Sequence, residues 1–285
     1  MLSYRHAFHA GNHADVLKHA VLVQLLGYLT KKDKPLWYVD THAGAAGYSL
    51  DDAWARKKAE FETGIGRLWK AGYSLRDTPR LVAEYLQLVH AQNPNGKLRA
   101  YPGSAQIALQ LLREQDRVRL FELHSTESRG LKEAFANDSP RVLVQAGDGF
   151  DGLRSVLPPP SRRGLVLMDP SYEDKRDYAR ARATLEDALQ RFATGVYALW
   201  YPIVQRRESE QFPEELRRLQ KKDWLHVALT VKSPAPEGFG LHGSGLFILN
   251  PPWELPKLLA EAMPYLVKAL GQDPSARFEL ESELS

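Results

Sequence analysis

Seven short segments of the chain are predicted to be buried strands, because each is rich in β-branched, aromatic or leucine residues and lies between polar stretches. They are residues 36–40, 118–123, 141–145, 164–169, 196–201, 225–231 and 244–250. Helical patterns lie mostly between them, at residues 14–30, 105–114, 127–136, 178–191 and 213–222. Strands that alternate with helices predict an α/β fold, in which a parallel sheet carries helices on both faces.

The last two predicted strands form an antiparallel pair. Residues 232–243 between them are rich in proline and glycine and too short for a helical crossover. The sequence therefore predicts a Rossmann-like sheet of seven strands whose last strand is antiparallel.

One interval, from Asp40 to Glu122, is far longer than a single helical crossover requires. The excess falls in residues 48–100, which show helical patterns at 53–69 and 79–92 and no convincing strand. We predict a core of residues 1–47 and 101–285 with a helical subdomain inserted at 48–100. The core resumes with a helix that Ser104 is expected to cap.

Composition narrows the possible chemistry. The chain contains no cysteine, which excludes disulfides, Cys-ligated zinc, iron–sulfur clusters and a cysteine nucleophile. This absence fits a cytoplasmic protein. The N-terminus has charged and histidine residues where a signal peptide needs an apolar run, and no apolar stretch is long enough for a membrane span. A formal net charge of +3 permits a polyanionic partner without requiring one.

Residues after the first three strands suggest a site for a cofactor that contains a nucleoside. In an open parallel sheet, ligands bind beyond the C-terminal ends of the strands. Small residues at 43–47 allow a ligand to approach the backbone closely. Glu122 can accept hydrogen bonds from ribose hydroxyls. Asp148 lies between two glycines, where it either meets an adenine amine or caps a turn or helix.

The fourth strand runs directly into Asp169, Pro170, Ser171 and Tyr172, here called the Asp169 turn. Enzymes that methylate exocyclic amines carry Asp or Asn, two prolines and an aromatic residue at this place. An adenine amine is a poor nucleophile, because its lone pair is delocalised into the ring. The Asp169 carboxylate and the Pro170 carbonyl can accept its two N–H groups while Tyr172 stacks on the base. The spacing from Glu122 and Asp148 favours this interpretation over an ordinary turn.

A second segment, residues 250–253 (Asn-Pro-Pro-Trp, here called the Asn250 turn), matches the methylase consensus more closely. It follows the seventh strand, however, and an antiparallel strand ends at the opposite edge of the sheet. The Asp169 turn is therefore the predicted catalytic motif.

The first twenty residues are unusually rich in rings and cations: Tyr4, His6, His9, His13, Lys18 and His19. This crowding favours a lid over cofactor and base rather than a capped surface helix. Lys18 and the nearby Arg5 are candidates to hold phosphates. No carboxylate–histidine pattern favours a metal site, and none is predicted.

Together these motifs resemble the RlmJ family of 23S ribosomal RNA adenine-N6 methyltransferases. The matching segments are MLSYRHAFHAGNHADVLKH, VDTHAG, YPGS, FELH, GDGF, SRRGLVLMDPSY and FATGVYALWYP. The resemblance spans nearly the whole chain. It implies a class I methyltransferase fold, S-adenosylmethionine as cofactor, 23S rRNA as partner and, from the family's enzyme name, adenine 2030 as target.

The resemblance also implies roles for individual residues. S-adenosylmethionine would be bound by His19, His42, Ser104, Glu122, Asp148 and Gly149. Asp169 would be catalytic, and the RNA substrate would be contacted by Tyr4, His6, Lys18, Pro170 and Tyr172. Ser171 departs from the family, in which a second proline is usual. The departure retains the Pro170 carbonyl but removes a ring that stiffens the turn.

Two other functions fit parts of the pattern. A dinucleotide-dependent oxidoreductase would also place glycine after the first strand and an acid after the second. However, no Gly-x-Gly-x-x-Gly follows Asp40, and such an enzyme gives the Asp169 turn no role. A non-catalytic RNA-binding scaffold is suggested only by Ser171. No pattern such as a coiled-coil heptad requires an oligomer, so a monomer is expected.

Overall fold

The computed structural model describes residues 8–71, 77–236 and 240–285, and its strands lie in one large sheet and one small sheet. The strands are β1 (Trp37–Asp40), β2 (Gly47–Ser49), β3 (Ala100–Pro102), β4 (Arg117–Glu122), β5 (Val142–Ala146), β6 (Gly164–Met168), β7 (Val196–Ile203), β8 (Trp224–Thr230), β9 (Gly243–Leu249) and β10 (Arg277–Glu283). The α-helices are α1 (His13–Thr30), α2 (Ala53–Lys58), α3 (Ile65–Lys70), α4 (Arg80–Ala91), α5 (Ser104–Leu111), α6 (Ser125–Ala134), α7 (Gly149–Val156), α8 (Arg176–Arg191), α9 (Arg207–Arg217) and α10 (Leu255–Leu270).

The large sheet has eight strands in the order β10-β8-β9-β7-β6-β1-β4-β5. The five strands from β7 to β5 are parallel, and β9 pairs antiparallel with both β7 and β8. The predicted parallel sheet and its antiparallel pair are confirmed. The strand order reverses at β1, between β4 and β6, so the C-terminal ends of these strands open a crevice. This is the class I methyltransferase arrangement, with one strand more than the predicted seven.

The extra strand, β10, and the helix α10 lie beyond the last element that the sequence predicts. α10 buries apolar side chains at helical spacing, among them Leu259, Met263 and Leu266, so its pattern does carry a signal. β10 pairs antiparallel with β8 but is mostly exposed and charged. Its apolar alternation is limited to Phe278 and Leu280, and its charges discourage further strand pairing.

The remaining helix predictions hold with shifted ends and two corrections. α9 begins at Arg207 and contains Pro213, where the sequence places a helix start at Pro213. α7 is absent from the prediction, because it is only eight residues long and follows β5 after a short glycine-rich turn.

The predicted helix at residues 53–69 is wrong. The segment forms α2, a 3-10 turn at Glu60–Thr63, and α3. Ala59 has φ of +48°, which interrupts helical geometry after α2. At Gly64 a Cβ atom would lie 2.1 Å from the carbonyl oxygen of Gly11. The chain therefore breaks here so that the insertion can pack tightly on the N-terminal segment.

The insertion also contains strand, contrary to expectation. β2 pairs antiparallel with β3, with Tyr48 opposite Tyr101, so the two ends of the insertion are joined. Its helices share one continuous apolar core with α1 and α10. The division of the chain at residues 48 and 100 into core and subdomain stays a prediction.

α1 is buried along most of its length, from His13 to Leu26. It packs against α4, α5, α10 and β9, which explains why its sequence is apolar on all sides. No helix in the described ranges is long and apolar enough to cross a membrane. This central helix delivers two polar side chains, Lys18 and His19, to the crevice at the sheet edge.

Candidate active site

A cavity of about 1000 Å³ opens at the C-terminal ends of β1, β4, β5 and β6. Small-molecule sites typically occupy roughly 300–1000 Å³, so the cavity can hold a cofactor and part of a second ligand. Most of the residues predicted for the site line it: Lys18, His19, His42, Ser104, Glu122, Asp148, Gly149, Asp169 and Pro170. The sheet topology thus brings together residues that are far apart in the sequence.

Two glycines shape the wall of the cavity. Gly149 begins α7, and a Cβ atom there would lie 1.8 Å from the carbonyl oxygen of Thr41. Gly44, in the loop after β1, has φ of +60°, and a Cβ atom would lie 2.6 Å from the Tyr48 hydroxyl oxygen. Only glycine accommodates these positions without strain. The two glycines therefore let the loop after β1 pack closely against the start of α7 and against Tyr48.

Glu122 ends β4 with both carboxylate oxygens held by the main chain. The N–H of Gly44 donates to Oε2 at 2.9 Å, and the N–H of His124 donates to Oε1 at 2.6 Å. Each oxygen keeps a second lone pair that can accept a ribose hydroxyl. Burial raises the pKa of Glu122, while the two N–H donors oppose the shift. The carboxylate is therefore preorganised as an acceptor.

Asp148 acts as a helix cap, which is one of the two alternatives that the sequence leaves open, and it also pairs with an arginine. Its Oδ1 accepts the N–H of Phe150 at 2.9 Å and caps α7, and its Oδ2 accepts Arg180 at 2.7 Å. Burial would raise the pKa of Asp148, but Arg180 and the Phe150 N–H outweigh it and lower that pKa. Asp148 is thus an ionised cap at the cavity wall. Arg180, which also lies 4.6 Å over the Phe150 ring, is a site residue that the sequence analysis missed.

His42 presents a neutral ring to the cavity. Burial lowers the pKa of His42 to about 4, with Asp148 opposing the shift and Arg180 adding to it. Nδ1 is hydrogen-bonded to the Thr41 hydroxyl at 2.8 Å, and the ring meets the Phe150 ring edge-on at 4.7 Å. The side chain is therefore uncharged near neutral pH and fixed in orientation.

Ser104 does not act as the predicted helix cap. α5 does begin at Ser104, but its hydroxyl donates to Oδ2 of Asp40 at 2.6 Å. The Tyr38 hydroxyl donates to the same oxygen at 2.7 Å. Asp40 is fully buried, and burial raises its pKa against these donors. The buried carboxylate needs partners more than the helix end does, so it takes the Ser104 hydroxyl.

His19 is oriented by Tyr101 of β3. Its Nδ1 is hydrogen-bonded to the Tyr101 hydroxyl at 2.8 Å, and the two rings stack at 5.6 Å. Tyr101 is in turn hydrogen-bonded to Tyr85 of α4 at 2.9 Å. The position of His19 therefore depends on Tyr101 and, through Tyr101, on Tyr85 of the insertion.

Asp169 is held by a buried ion pair across the cavity floor. Its Oδ2 lies 2.5 Å from Nζ of Lys18, which also lies 2.8 Å from Oδ1 of Asp15. Burial would lower the pKa of Lys18, but the two carboxylates raise it well above its ordinary value. The ammonium thus stays charged and fixes the carboxylate that follows β6. Asp15 and Lys18 are neighbours on α1 at i,i+3 spacing, but no sequence pattern shows that Asp169 joins them.

The Lys18 geometry corrects one expectation. The side chain is 4% exposed and its ammonium is occupied by two carboxylates, so it is not placed to hold a phosphate. It remains a cavity residue beside the place predicted for the adenine.

Tyr172 is not where the sequence places it. It has φ of +53° and a side chain that is 3% exposed, packed 4.4 Å from the Tyr178 ring. Its hydroxyl donates to the carbonyl of Trp200 at 2.8 Å. A ring that is buried beneath the turn cannot stack on a base in this conformation. Pro170 and Ser171 do line the cavity.

The other N-terminal candidates divide into two groups. Tyr4, Arg5 and His6 lie outside the described residues. His9 is hydrogen-bonded to Glu60 at 2.9 Å and His13 is buried at the start of α1; neither lines the cavity. In the part of the chain that the structure describes, no group of three or more His, Asp or Glu residues could hold a metal ion.

The Asn250 turn lies at the opposite edge of the sheet. Nδ2 of Asn250 donates to the carbonyls of Ala193 and Gly195 at 2.8 and 2.6 Å, in the loop that precedes β7. Antiparallel pairing of β9 with β7 places the end of β9 beside the start of β7. The side chain of Trp253 is 74% exposed, and no residue of the turn lines the cavity.

Comparison with known proteins agrees with this geometry. Residues 33–281 match the protein family described as "RsmJ: Ribosomal RNA large subunit methyltransferase D, RlmJ". A ribosomal RNA large subunit methyltransferase J of Escherichia coli is 44% identical over 266 residues, which cover 93% of this chain and 93% of that protein. The chain belongs to this family. The Haemophilus influenzae protein of the same name is 42% identical over 282 residues, covering 99% and 98% of the two chains.

The fold of the RlmJ family is also seen in a solved structure. Protein LPL1258 of Legionella pneumophila is 37% identical, with a TM-score of 0.88 over 96% of this chain and 98% of that one. Membership of the RlmJ family confirms the resemblance seen in the sequence and makes the chain a methyltransferase.

Proposed function

We propose that the chain transfers a methyl group from S-adenosylmethionine to the N6 amine of an adenine in 23S rRNA, as a cytoplasmic monomer. One observation carries the proposal. The Asp169 carboxylate and the Pro170 residue line the same cavity as the Glu122 carboxylate and the Gly44–Gly149 wall. The groups proposed to accept the target amine and the carboxylate proposed to accept the ribose hydroxyls therefore line the same cavity.

The residues around the wall fit the cofactor. Glu122 would accept the ribose hydroxyls, and Asp148 with Gly149 would border the adenine. His19, His42 and Ser104 would complete the pocket, His42 as an uncharged ring. Gly44 and Gly149 line the cavity, so main-chain atoms border the proposed cofactor pocket. When bound, S-adenosylmethionine supplies an electrophilic methyl group on a positively charged sulfur.

The Asp169 turn would hold the target amine. The carboxylate and the Pro170 carbonyl would each accept one N–H, which turns the nitrogen lone pair out of conjugation with the ring. The N–C bond would form as the C–S bond breaks, and the Asp169 carboxylate would accept the proton that the amine gives up. A carboxylate has several acceptor lone pairs, so the Lys18 contact on Oδ2 does not exhaust its capacity. Lys18 would position Asp169 rather than touch the methyl group.

Product analysis tests the proposal. The purified chain is incubated with methyl-labelled S-adenosylmethionine and 23S rRNA transcribed without modifications. One portion of the RNA is cut into defined fragments to locate the label, and another is digested to nucleosides to identify the methylated group. The expected product is N6-methyladenosine at a single position, adenine 2030 in the family's enzyme name. A label on ribose, on an adenine carbon or on another base would overturn the proposed chemistry.

Calorimetry tests the oxidoreductase alternative. We expect heat of binding from S-adenosylmethionine and none from NAD, because the loop after β1 lacks the spacing of a dinucleotide fingerprint. Binding of NAD alone would favour the alternative. Cofactor binding without methyl transfer to any RNA would favour the non-catalytic scaffold.

A further inference from the structure

The cavity is rich in negative charge, although its proposed substrate is a polyanion. Eight of the residues that line it are aspartate or glutamate and only four are lysine or arginine. Nucleic acids bind proteins largely through cations that neutralise phosphates. Cations at the mouth of the cavity must therefore offset this negative charge, because the phosphates of an inserted nucleotide have to lie there.

Two of the four cations are already engaged. Lys18 is buried between Asp15 and Asp169. Arg180 is paired with Asp148 at 2.7 Å. A phosphate that recruited either side chain would have to break an ion pair inside the site, and for Lys18 this would leave buried carboxylates uncompensated.

The other two, Lys175 and Arg206, are exposed at the mouth. Within residues 8–71, 77–236 and 240–285, neither forms an ion pair. Lys175 precedes α8, a few residues after Asp169. Arg206 precedes α9 and donates from Nη1 to the main-chain carbonyl of Tyr172 at 3.3 Å. Both cations are therefore tied to the loop that begins with the Asp169 turn.

We propose that Arg206 and Lys175 bind the RNA phosphates that flank the target adenine. The inference rests on the proposed function and adds the residues that hold the substrate strand. Arg206 is suited to this role, because its single contact with Tyr172 leaves guanidinium N–H groups that match a phosphate in pairs. The same contact links phosphate binding to the position of the Asp169 turn.

The test is the salt dependence of RNA affinity. Binding of unmodified 23S rRNA transcript is measured over a range of KCl concentrations for wild type, Arg206→Gln and Lys175→Gln. Each variant should weaken binding about three- to tenfold and reduce the slope of log affinity against log salt by about 0.7 to 1. Affinity for S-adenosylmethionine, measured by calorimetry, should not change.

Matched controls remove the same charge nearby. Arg207→Gln changes the neighbouring arginine, and Arg182→Gln changes an exposed arginine of α8; neither residue lines the cavity. Both should keep the wild-type slope. Arg206→Lys should restore most of the slope, because it restores the charge without the guanidinium geometry.

Two results would overturn the inference. One is a slope for Arg206→Gln and Lys175→Gln equal to that of the controls. The other is an unchanged slope with a reduced methylation rate for Arg206→Gln. That result would mean that Arg206 only positions the Asp169 turn and does not bind a phosphate. Failure of the proposed function is distinguishable, since wild type itself would then not methylate the transcript, whatever the salt dependence of its binding.

Discussion

The Asp169 turn and the Asn250 turn have nearly the same spelling and opposite surroundings. Asp169 follows a parallel strand next to β1, lines the cavity and meets the ammonium of Lys18. Asn250 follows the antiparallel strand β9 and uses its side chain to tie down the loop before β7. The amide of Asn250 donates to backbone carbonyls, whereas the carboxylate of Asp169 lines the cavity. Strand direction, not motif spelling, decides which turn can meet a substrate.

A substitution at Asp169 tests most directly whether the two turns differ in function. Asp169→Asn should lower the rate of methyl transfer by about 100- to 10,000-fold, because it removes the charged acceptor of the amine proton. Single-turnover transfer to unmodified 23S rRNA, at saturating cofactor, measures this loss. Calorimetry with S-adenosylmethionine checks that the cofactor site is intact. Wild-type rates in the variant would show that the turn is not catalytic.

Lys18→Met should destabilise the protein by about 3–5 kcal/mol, because Asp15 and Asp169 are then left without their buried cation. The free energy of unfolding in urea gives the change. Adding Asp169→Asn to Lys18→Met should recover part of the loss, since one uncompensated carboxylate is removed. An equally stable Lys18→Met protein would contradict the ion pair as a structural element.

Acid should lower the free energy of unfolding through His13, at the start of the helix that carries Lys18. Burial lowers the pKa of His13 to about 4, with Glu60 opposing the shift and Lys232 adding to it. The unfolded chain binds this proton more readily, so stability is complete above pH 6.5 and falls as pH drops towards 4. At pH 5 the loss from this group is about 2 kcal/mol.

The measurement is urea unfolding at pH 7.5 and at pH 5. His13→Gln cannot take up the proton and should show a smaller difference between the two pH values. His124→Gln, at a histidine that is only partly buried, serves as the control. If the free energy of unfolding depends on pH equally in wild type and in His13→Gln, protonation of His13 does not cause the loss of stability.

Asn250→Ala should have the smallest effect on the methylation rate. In contrast to Asp169→Asn, it should lower stability rather than activity. It removes three side-chain hydrogen bonds, to Ala193, Gly195 and Gln220, and puts alanine at φ of +52°, which together cost about 2 kcal/mol of stability. The methylation rate should stay within about twofold of wild type. Asn250→Gly relieves the backbone but not the hydrogen bonds, so it separates the two contributions. A large loss of rate with normal stability would exchange the roles of the two turns.

Much of the site could be predicted from strand ends alone. Glu122, Asp148 and Asp169 each follow a parallel strand, and parallel strands deliver their C-terminal residues to one edge. The dependence of His19 on Tyr101, and of Asp169 on Lys18, could not be predicted in this way. Those contacts join a central helix to distant loops, and no local pattern records which helix face meets which loop.

The errors have a common physical origin. Ser104 was expected at a cap and Tyr172 at a base, since each residue type is typical of that local position. In the fold, the buried carboxylate of Asp40 takes the Ser104 hydroxyl, and an apolar cluster takes the Tyr172 ring. Burial changed which partner was most favourable in both cases.

The sequence by itself determined the alternation of strand and helix, the antiparallel end of the sheet and the family, because hydrophobic period and connection length are local properties of the chain. Only the tertiary structure decided how the charges pair inside the cavity, leaving Lys175 and Arg206 exposed at its mouth. Desolvation makes that decision. A buried charge must find a partner, and which partner is within reach depends on how the whole chain packs.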